Sequence, residues 1–233
     1  MRQAIDTLAL DLLNKLTPRH VVCAACQADP PPQPVHPREE DLILTAVPKR
    51  RNSFRAGRRA AHHVLTTLGY DCDTILAGKN REPLWPKGCI GSISHTRNVS
   101  VATAAQTEDI RALGVDIESA QGLTREEWRL VLQDDEILEL EGLGSSAYRL
   151  AMLAFSAKET VFKLQYPCTE RYVDFREAKI ELCEQQSSFQ ACLPGFVHEK
   201  LNHPAPFRGR YGSCGDSIVT VAWIENDCQA LRR

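Results

Sequence analysis

The sequence predicts an α+β protein built from two similar α/β halves, because helix-periodic and strand-like segments recur along the whole chain. The chain has 233 residues, which at roughly 150 residues per domain is about 1.6 domain equivalents. The apolar alternation of residues 99–105 is similar to that of residues 217–225, which suggests one such strand per half, although any two core strands would alternate in this way. We therefore expect an N-terminal half at 1–120 and a C-terminal half at 121–233.

The composition is that of an ordinary folded protein, with 43% hydrophobic and 25% charged residues. Lys and Arg (28) nearly balance Asp and Glu (30), and the net charge of −2 argues against a general nucleic-acid binder, so any anion site must be local. No apolar run is long enough to span a membrane, and Asp6 and Asp11 make the N-terminal segment unlike a signal peptide. We expect a cytoplasmic protein.

The first third of the chain predicts a helix, a short strand and then a proline-rich connector at 29–37. A further helix capped by Asn52 or Ser53 is expected to continue to about Leu68, where Gly69 ends it. The connector cannot be a helix or a central strand because proline lacks the N–H that both require.

The middle of the chain predicts a Gly- and Pro-rich loop at 78–97 that leads into a short strand. Residues 99–105 and 113–119 then read as two half-buried strands joined by a turn, which predicts a hairpin.

Two helices are expected next. The first begins at a capping box formed by Thr124 and Glu127 and ends at Gly142 or Gly144, and the second ends before Pro167. The remaining chain is strand-like with turns between the strands.

The nine cysteines are an odd number scattered over a chain large enough to fold without disulfides, which favours reduced thiols. Only Cys23 and Cys26 have the CxxC spacing of a zinc site, and no second ligand pair accompanies them. We therefore interpret them as small buried side chains on a strand, and a zinc-binding interaction module is a remote alternative.

The segment 114–118, Gly-Val-Asp-Ile-Glu, brings two carboxylates together if it forms a strand. Asp116 and Glu118 then project from one face about 7 Å apart, while Val115 and Ile117 enter the core. Two charges of the same sign need a cation between them or full solvation, and a solvated strand end is an equal alternative for these residues alone.

The segment 155–163 predicts a helix that carries Glu159 and Lys163 one turn apart among aromatic residues. Taken alone, the pair is better interpreted as an ordinary ion pair on a helix surface. Together with Asp116 and Glu118, however, the carboxylates suit a hard cation such as Mg²⁺, and the absence of His and Cys from both segments disfavours zinc.

Two further segments carry possible phosphate ligands. Ser94 and His95 are adjacent on a strand and point to opposite faces, which indicates binding rather than nucleophilic catalysis. A basic helix face at three- to four-residue spacing comprises Arg51, Arg55, Arg58 or Arg59, and His62. Such a face alone is more often solvated surface.

Taken together, these segments resemble the Sfp-type 4′-phosphopantetheinyl transferases, particularly the enterobactin-synthase branch. The family signatures GVD-x-E and (W/F)-x-x-KE-x-x-x-K match residues 114–118 and 155–163, with Phe155 where many relatives have Trp. Upstream segments that also look like this branch are 54–61, 81–88 and 91–96.

This resemblance implies two similar α/β halves with the active site between them. Family members transfer the 4′-phosphopantetheine arm of coenzyme A to a serine of apo acyl or peptidyl carrier proteins and release 3′,5′-ADP. By similarity, Asp116, Glu118 and Glu159 hold Mg²⁺, and Lys163 stabilises the charge that develops on phosphate. The general base is Glu159 or, as second choice, Glu118.

The residues that the resemblance assigns to coenzyme A are Arg51, Arg55, Arg58, Lys79, Ser94, His95, Lys158 and Lys163, with contact to the carrier protein as the alternative for Lys158. The carrier partners belong to siderophore, nonribosomal peptide or polyketide synthesis, and two halves in one chain suggest a monomer that binds no nucleic acid. The alternative is a non-catalytic module that binds coenzyme A or a nucleotide.

Overall fold

A computed structural model describes residues 4–226, and within them the chain forms seven α-helices and eight β-strands. The helices are α1 (Ile5–Leu16), α2 (Pro37–Glu40), α3 (Pro48–Thr67), α4 (Arg125–Val131), α5 (Asp134–Leu140), α6 (Ser146–Thr169) and α7 (Gly195–Leu201). The strands are β1 (Val22–Gln27), β2 (Cys89–His95), β3 (Val99–Gln106), β4 (Ile110–Ser119), β5 (Lys179–Cys183), β6 (Ser188–Cys192), β7 (Phe207–Cys214) and β8 (Ser217–Glu225). The α+β class is confirmed.

The strands form two antiparallel sheets, one with the order β1-β3-β2 and one with the order β4-β8-β7-β6-β5. The two strands with similar alternation, β3 and β8, each lie inside a sheet and are buried along nearly their whole length. Because a strand with neighbours on both sides and cover on both faces is buried along its length, both segments consist mainly of apolar residues.

The predicted hairpin between residues 99–105 and 113–119 is wrong. β3 and β4 are consecutive, but β3 pairs with β1 and β2, whereas β4 pairs with β8. Both strands are buried rather than half-buried, because a shared hydrophobic core that includes Val101, Val115 and Val219 lies between the two sheets. The division at 120/121 stays a prediction, and β4, which precedes it, belongs to the sheet of the later strands.

Helix α3 begins earlier than the sequence predicts. Pro48 opens the helix, where the missing N–H costs nothing and the fixed φ favours helix, and Ser53 lies inside the first turns with its hydroxyl donating to backbone carbonyls. The end of α3 is as expected, since the helix stops at Thr67 and Gly69 follows with a positive φ of 83°.

The predicted helix after the Thr124–Glu127 capping box is two helices. The capping box is present, but the chain leaves the helical conformation at Leu132 and restarts α5 with a second box, formed by Gln133 and Glu136. Glu136, the last residue of this second box, is buried.

Helix α6 continues through Pro167, which therefore does not end it. Because Pro167 lies in the last turn, it removes only a backbone hydrogen bond that the helix end can forgo. The helix ends where Glu170 adopts a left-handed conformation and donates its N–H to the carbonyl of Tyr166 at 2.8 Å.

The cysteines are free thiols wherever the structure describes them, and Cys228 lies outside the described residues. Cys23 packs into the core beside α1, whereas Cys26, three residues along β1, packs on the opposite face beside α3. The two thiols therefore cannot share a metal ion. None of the helices between residues 4 and 226 combines the length and the apolar character that crossing a bilayer requires.

The buried thiols are expected to resist alkylation and disulfide exchange in the folded protein. Burial raises the pKa of Cys23 to about 11 and that of Cys89 to about 12, so both stay protonated at about pH 8, whereas Cys192 is exposed. Peptide mapping after brief treatment with a thiol reagent should show Cys192 modified well before Cys23 or Cys89. Rapid modification of Cys23 or Cys89 without denaturant would contradict this.

Candidate functional site

A cleft of about 340 Å³ lies where α3 and β2 approach β4 and α6. Its walls come from both sheets and from the loop before β2. The lining residues are Arg50, Ser53, Phe54, Gly57, Arg58, Arg81, Pro83, Ile93, Ser94, His95, Asp116, Glu118, Glu159 and Lys163. Seven of the residues expected from the sequence are therefore brought together: Arg58, Ser94, His95, Asp116, Glu118, Glu159 and Lys163.

Gly114 allows α6 to lie directly against β4. A β-carbon at this position would be 2.1 Å from the backbone carbonyl oxygen of Thr160 and 3.0 Å from the backbone nitrogen of Leu164. This close approach brings Glu159 and Lys163 next to the carboxylates of β4. The opposite face of β4 behaves as expected, since Val115 and Ile117 are fully buried.

Asp116 is the buried centre of the acidic side of the cleft, with only 1% of its surface exposed. Its Oδ1 accepts hydrogen bonds from the Ser94 hydroxyl at 2.7 Å and from Lys163 Nζ at 2.6 Å. Its Oδ2 accepts a hydrogen bond from the Ser156 hydroxyl at 2.8 Å. The carboxylate is therefore held on both oxygens by side chains from β2 and α6.

Lys163 lies among the three carboxylates and supplies their nearest positive charge. In addition to Asp116, its Nζ lies 3.8 Å from Glu159 Oε2. Burial alone would lower the pKa of Lys163, but the charges of Asp116 and Glu159 raise it above its usual value. The ammonium group therefore stays charged.

One lysine does not fully compensate this acidic cluster. Burial, together with the charge of Asp116, raises the pKa of Glu118 to about 7, and burial also raises the pKa of Glu159. Carboxylates that are desolvated and mutually repelling in this way have the donor chemistry that a hard divalent cation takes. Between residues 4 and 226, however, no three His, Cys, Asp or Glu side chains are already assembled as a ligand set.

The opposite wall of the cleft is basic. Arg50 is hydrogen-bonded to Nε2 of His95, and burial together with the charges of Arg50 and Lys163 lowers the pKa of His95 to about 4. His95 is therefore neutral and accepts the arginine N–H. Arg50 is not among the residues expected from the sequence, although it lies one residue before the predicted basic face.

Arg58 indicates most directly that the cleft binds an anion. It is only 5% exposed, its guanidinium lies 4.7 Å above the Phe54 ring, and burial lowers its pKa to about 10. Its Nε is 3.7 Å from Glu39 Oε1 and finds no hydrogen-bond partner among residues 4–226. Since buried polar groups are normally satisfied, the unsatisfied Nε of a buried guanidinium that lines the cleft points to an anionic ligand in addition to Glu39.

Arg81 also lines the cleft and was not selected from the sequence, although it lies within a segment that carried the family resemblance. It adopts a positive φ of 67° in a turn closed by its N–H to the carbonyl of Gly78 at 3.1 Å. The Asn80 side chain bonds the Tyr166 hydroxyl of α6, which anchors this turn to the other wall. Lys79, which the sequence suggested as a coenzyme A ligand, is exposed and does not line the cleft.

Two arginines of the predicted basic face lie outside the cleft. Arg51 donates to the carbonyls of Ala46 and Leu44, and Arg55 forms a two-pronged ion pair with Glu40 at 2.9 and 2.7 Å. The stripe of α3 that faces the cleft contains Arg50, Phe54 and Arg58 instead. Arg51 and Arg55 are each one residue away from this stripe, a rotation of about 100° around the helix, whereas Arg58, which was also expected from the sequence, lies on it.

Lys158 is also outside the cleft, on the core side of α6. Its Nζ bonds Glu136 Oε2 at 2.5 Å and the carbonyls of Val131 and Phe175 at 2.9 and 3.0 Å. The side chain is fully buried, so it does not contact a ligand in the cleft.

Comparison with protein families gives two matches that together span most of the chain. The 4′-phosphopantetheinyl transferase N-terminal domain matches residues 38–105, and the 4′-phosphopantetheinyl transferase superfamily matches residues 112–212. The first match contains the basic wall of the cleft, and the second contains its carboxylates and Lys163.

Three individual relatives also match this chain over most of its length. The chain is 32% identical to the 4′-phosphopantetheinyl transferase Svp of Streptomyces mobaraensis over 220 residues, which is 91% of this chain and 88% of that protein. It is 30% identical to PptT, a 4′-phosphopantetheinyl transferase of Mycobacterium tuberculosis, over 76% of this chain and 78% of the relative. It is 37% identical to enterobactin synthase component D of Salmonella typhi, over 78% and 75%.

Proposed function

This chain belongs to the 4′-phosphopantetheinyl transferases, a family that uses coenzyme A and acts on carrier proteins, and from that premise we propose the reaction that its cleft catalyses. The cleft binds coenzyme A and transfers the phosphopantetheine arm, with Mg²⁺, to a serine of an apo acyl or peptidyl carrier protein, releasing 3′,5′-ADP. The observation that carries this proposal is the cleft itself, because Arg58, whose Nε has no hydrogen-bond partner among residues 4–226, lines the same cavity as Lys163 and the three carboxylates.

The basic wall binds the phosphates of coenzyme A. Arg50, Arg58 and Arg81 come from two different segments, α3 and the loop before β2, and guanidinium groups match phosphate oxygens in pairs. His95 remains part of this wall because it holds Arg50 in place. Arg51, Arg55, Lys79 and Lys158 are left out of the proposed binding set because their side chains lie elsewhere.

The transfer step forms a bond between the carrier serine oxygen and the phosphorus attached to pantetheine. The bond from that phosphorus to the bridging oxygen breaks, and the electron pair leaves with 3′,5′-ADP. Lys163 stabilises the charge that develops on the phosphate oxygens. Glu159, or Glu118 as the alternative, accepts the serine proton, since both carboxylates line the cleft.

The carboxylates Asp116, Glu118 and Glu159 fit Mg²⁺ by donor chemistry, and we assign them as its ligands. When bound, the ion supplies charge stabilisation at the diphosphate. In the structure Asp116 and Glu159 form ion pairs with Lys163, whose ammonium balances part of the same charge.

The similarity to enterobactin synthase component D favours carriers of siderophore synthesis among nonribosomal peptide and polyketide systems. The monomeric state and the cytoplasmic location stay predictions.

An assay with coenzyme A, Mg²⁺ and an apo carrier protein tests the proposal. The carrier should gain the mass of phosphopantetheine, and Asp116→Asn, which keeps the shape but loses the charge, should slow the transfer by about 100- to 1000-fold. Asp135→Asn is the matched control, because Asp135 pairs with Lys179 on the surface away from the cleft.

Two outcomes would contradict the proposal. Undiminished transfer by Asp116→Asn would reject the metal assignment, and the absence of any mass gain across a panel of apo carriers would reject the reaction. Coenzyme A binding and the unfolding midpoint of each variant separate a chemical defect from a folding defect.

A further inference from the structure

Three buried hydroxyl groups lie behind Asp116, on the side away from the cleft. Ser156 and Thr160 belong to α6, and Thr220 belongs to β8, where it is the register partner of Asp116 on β4. All three residues are fully buried, with no exposed surface. They therefore contact neither a ligand in the cleft nor solvent.

The hydroxyls form a hydrogen-bonded chain that ends on the carboxylate. Ser156 Oγ is 2.8 Å from Asp116 Oδ2 and 2.8 Å from Thr220 Oγ1, which is 2.6 Å from Thr160 Oγ1. A carboxylate accepts and each hydroxyl has one proton, so Ser156 donates to Asp116, and in its contact with Thr220 the threonine hydroxyl is the donor. Thr160 then donates to Thr220. The backbone carbonyls of Ser156 and Thr220 are alternative acceptors, at 3.0 and 3.2 Å.

This chain fixes the orientation of the Asp116 carboxylate. Oδ1 faces Ser94 and Lys163 at the cleft, and Oδ2 is held by Ser156 from behind. Rotation of the carboxylate would leave the buried Ser156 hydroxyl without its acceptor, which is costly in a dry interior. The hydroxyls thus couple α6 and β8 to the position of one oxygen in the site.

We propose that Ser156 and Thr220, with Thr160 behind them, are positioning residues that present Asp116 Oδ1 to a divalent cation. Groups that orient metal ligands through hydrogen bonds commonly control affinity although they never touch the ion. This inference rests on the proposed function, because that function assigns Asp116 to the metal.

The test measures binding of Mn²⁺ alone by electron paramagnetic resonance, together with kcat at saturating coenzyme A. Ser156→Ala should weaken Mn²⁺ binding by about 10- to 100-fold. Thr220→Val keeps the shape but loses the hydroxyl and should weaken binding in the same direction by a smaller factor. Thr220→Ser keeps the hydroxyl but loses the methyl group and should bind Mn²⁺ as the unaltered protein does.

A buried hydroxyl elsewhere provides the control. Thr17 at the end of α1 donates to the carbonyl of Leu13 at 2.8 Å, and Thr17→Val should leave Mn²⁺ binding unchanged whatever it does to the unfolding midpoint. Binding that is equal in Thr220→Val and Thr220→Ser, or that follows the unfolding midpoint across all variants, would overturn the positioning role. Failure of the unaltered protein to bind Mn²⁺ would overturn the metal assignment itself and this inference with it.

Discussion

Replacing Lys158 with methionine is expected to lower the free energy of unfolding by about 3–5 kcal/mol, the range seen when one partner of a buried ion pair is removed. All three N–H donors of Lys158 are used, by Glu136 and by the carbonyls of Val131 and Phe175. Methionine keeps much of the volume but donates nothing. Glu136, itself only 5% exposed, would then remain buried without a cation.

Glu136 connects this ion pair to two further elements. Its Oε1 accepts the backbone N–H of Ile180 at 2.8 Å, and its Oε2 accepts that of Gln133 at 2.7 Å. The ion pair therefore joins α6 to the start of α5 and to β5. Loss of Lys158 should loosen these elements together, because their polar groups share one acceptor.

Urea denaturation of three variants checks this prediction. Lys158→Met should be strongly destabilised, and the double variant Lys158→Met, Glu136→Gln should recover part of the loss because no unpaired charge stays buried. Lys179→Met is the control, since Lys179 forms a pair of similar length with Asp135 at 2.6 Å that is partly open to solvent, and its loss should change stability far less. If Lys158→Met were as stable as Lys179→Met, the buried pair would not anchor α6.

Replacing Gly114 with alanine should damage both the fold and the reaction. The added β-carbon would be placed 2.1 Å from the backbone carbonyl oxygen of Thr160, so β4 and α6 must separate. Overpacking of this kind costs about 1–3 kcal/mol or more. Because Asp116 lies on β4 whereas Glu159 and Lys163 lie on α6, a shift of about 1 Å should also slow the transfer by about 100-fold.

The matched control for Gly114→Ala is Gly195→Ala. Gly195 opens α7, has open space around its missing β-carbon and does not need a positive φ, so alanine should be tolerated or slightly stabilising there. Thermal unfolding and kcat are measured for both variants. Similar stability and kcat for the two would show that α6 does not depend on the glycine for its close approach to β4.

The grouping of the carboxylates could be predicted from the sequence, because it depends on the periodicity of single strands and helices. Alternate residues of a strand share a face, which places Asp116 and Glu118 together, and residues four apart on a helix share a face, which places Glu159 with Lys163. The α+β class has the same local basis, because periodic apolar residues indicate the type of each element. These features depend only on residues near one another in the chain.

The partner of each element was set by tertiary structure. Residues 99–105 and 113–119 are separated by a turn and looked like a hairpin, yet β4 pairs with β8, about a hundred residues later in the chain. Apolar alternation indicates that a segment is a strand of a sheet, but it does not indicate which of the other apolar strands is its partner. Only the packing of both sheets around one core selects β8.

The direction in which each helix faces was decided in the same way. On α3, the stripe through Arg51 and Arg55 and the stripe through Arg50 and Arg58 are both basic, and the sequence does not distinguish them. Glu40 draws Arg55 away from the cleft, and no local rule foresees that contact. Periodicity gives the spacing of side chains along a helix, but its rotation depends on the surface on which it packs.

Lys158 shows the same limit most clearly, since it is adjacent in sequence to Glu159, a residue of the cleft. Neighbouring side chains on a helix point about 100° apart, so one enters the site while the other enters the core. The sequence by itself determined that these charges stand side by side on a helix. Only the tertiary structure decided which became part of the site, because the partner that makes burial of Lys158 tolerable, Glu136, comes from a different helix.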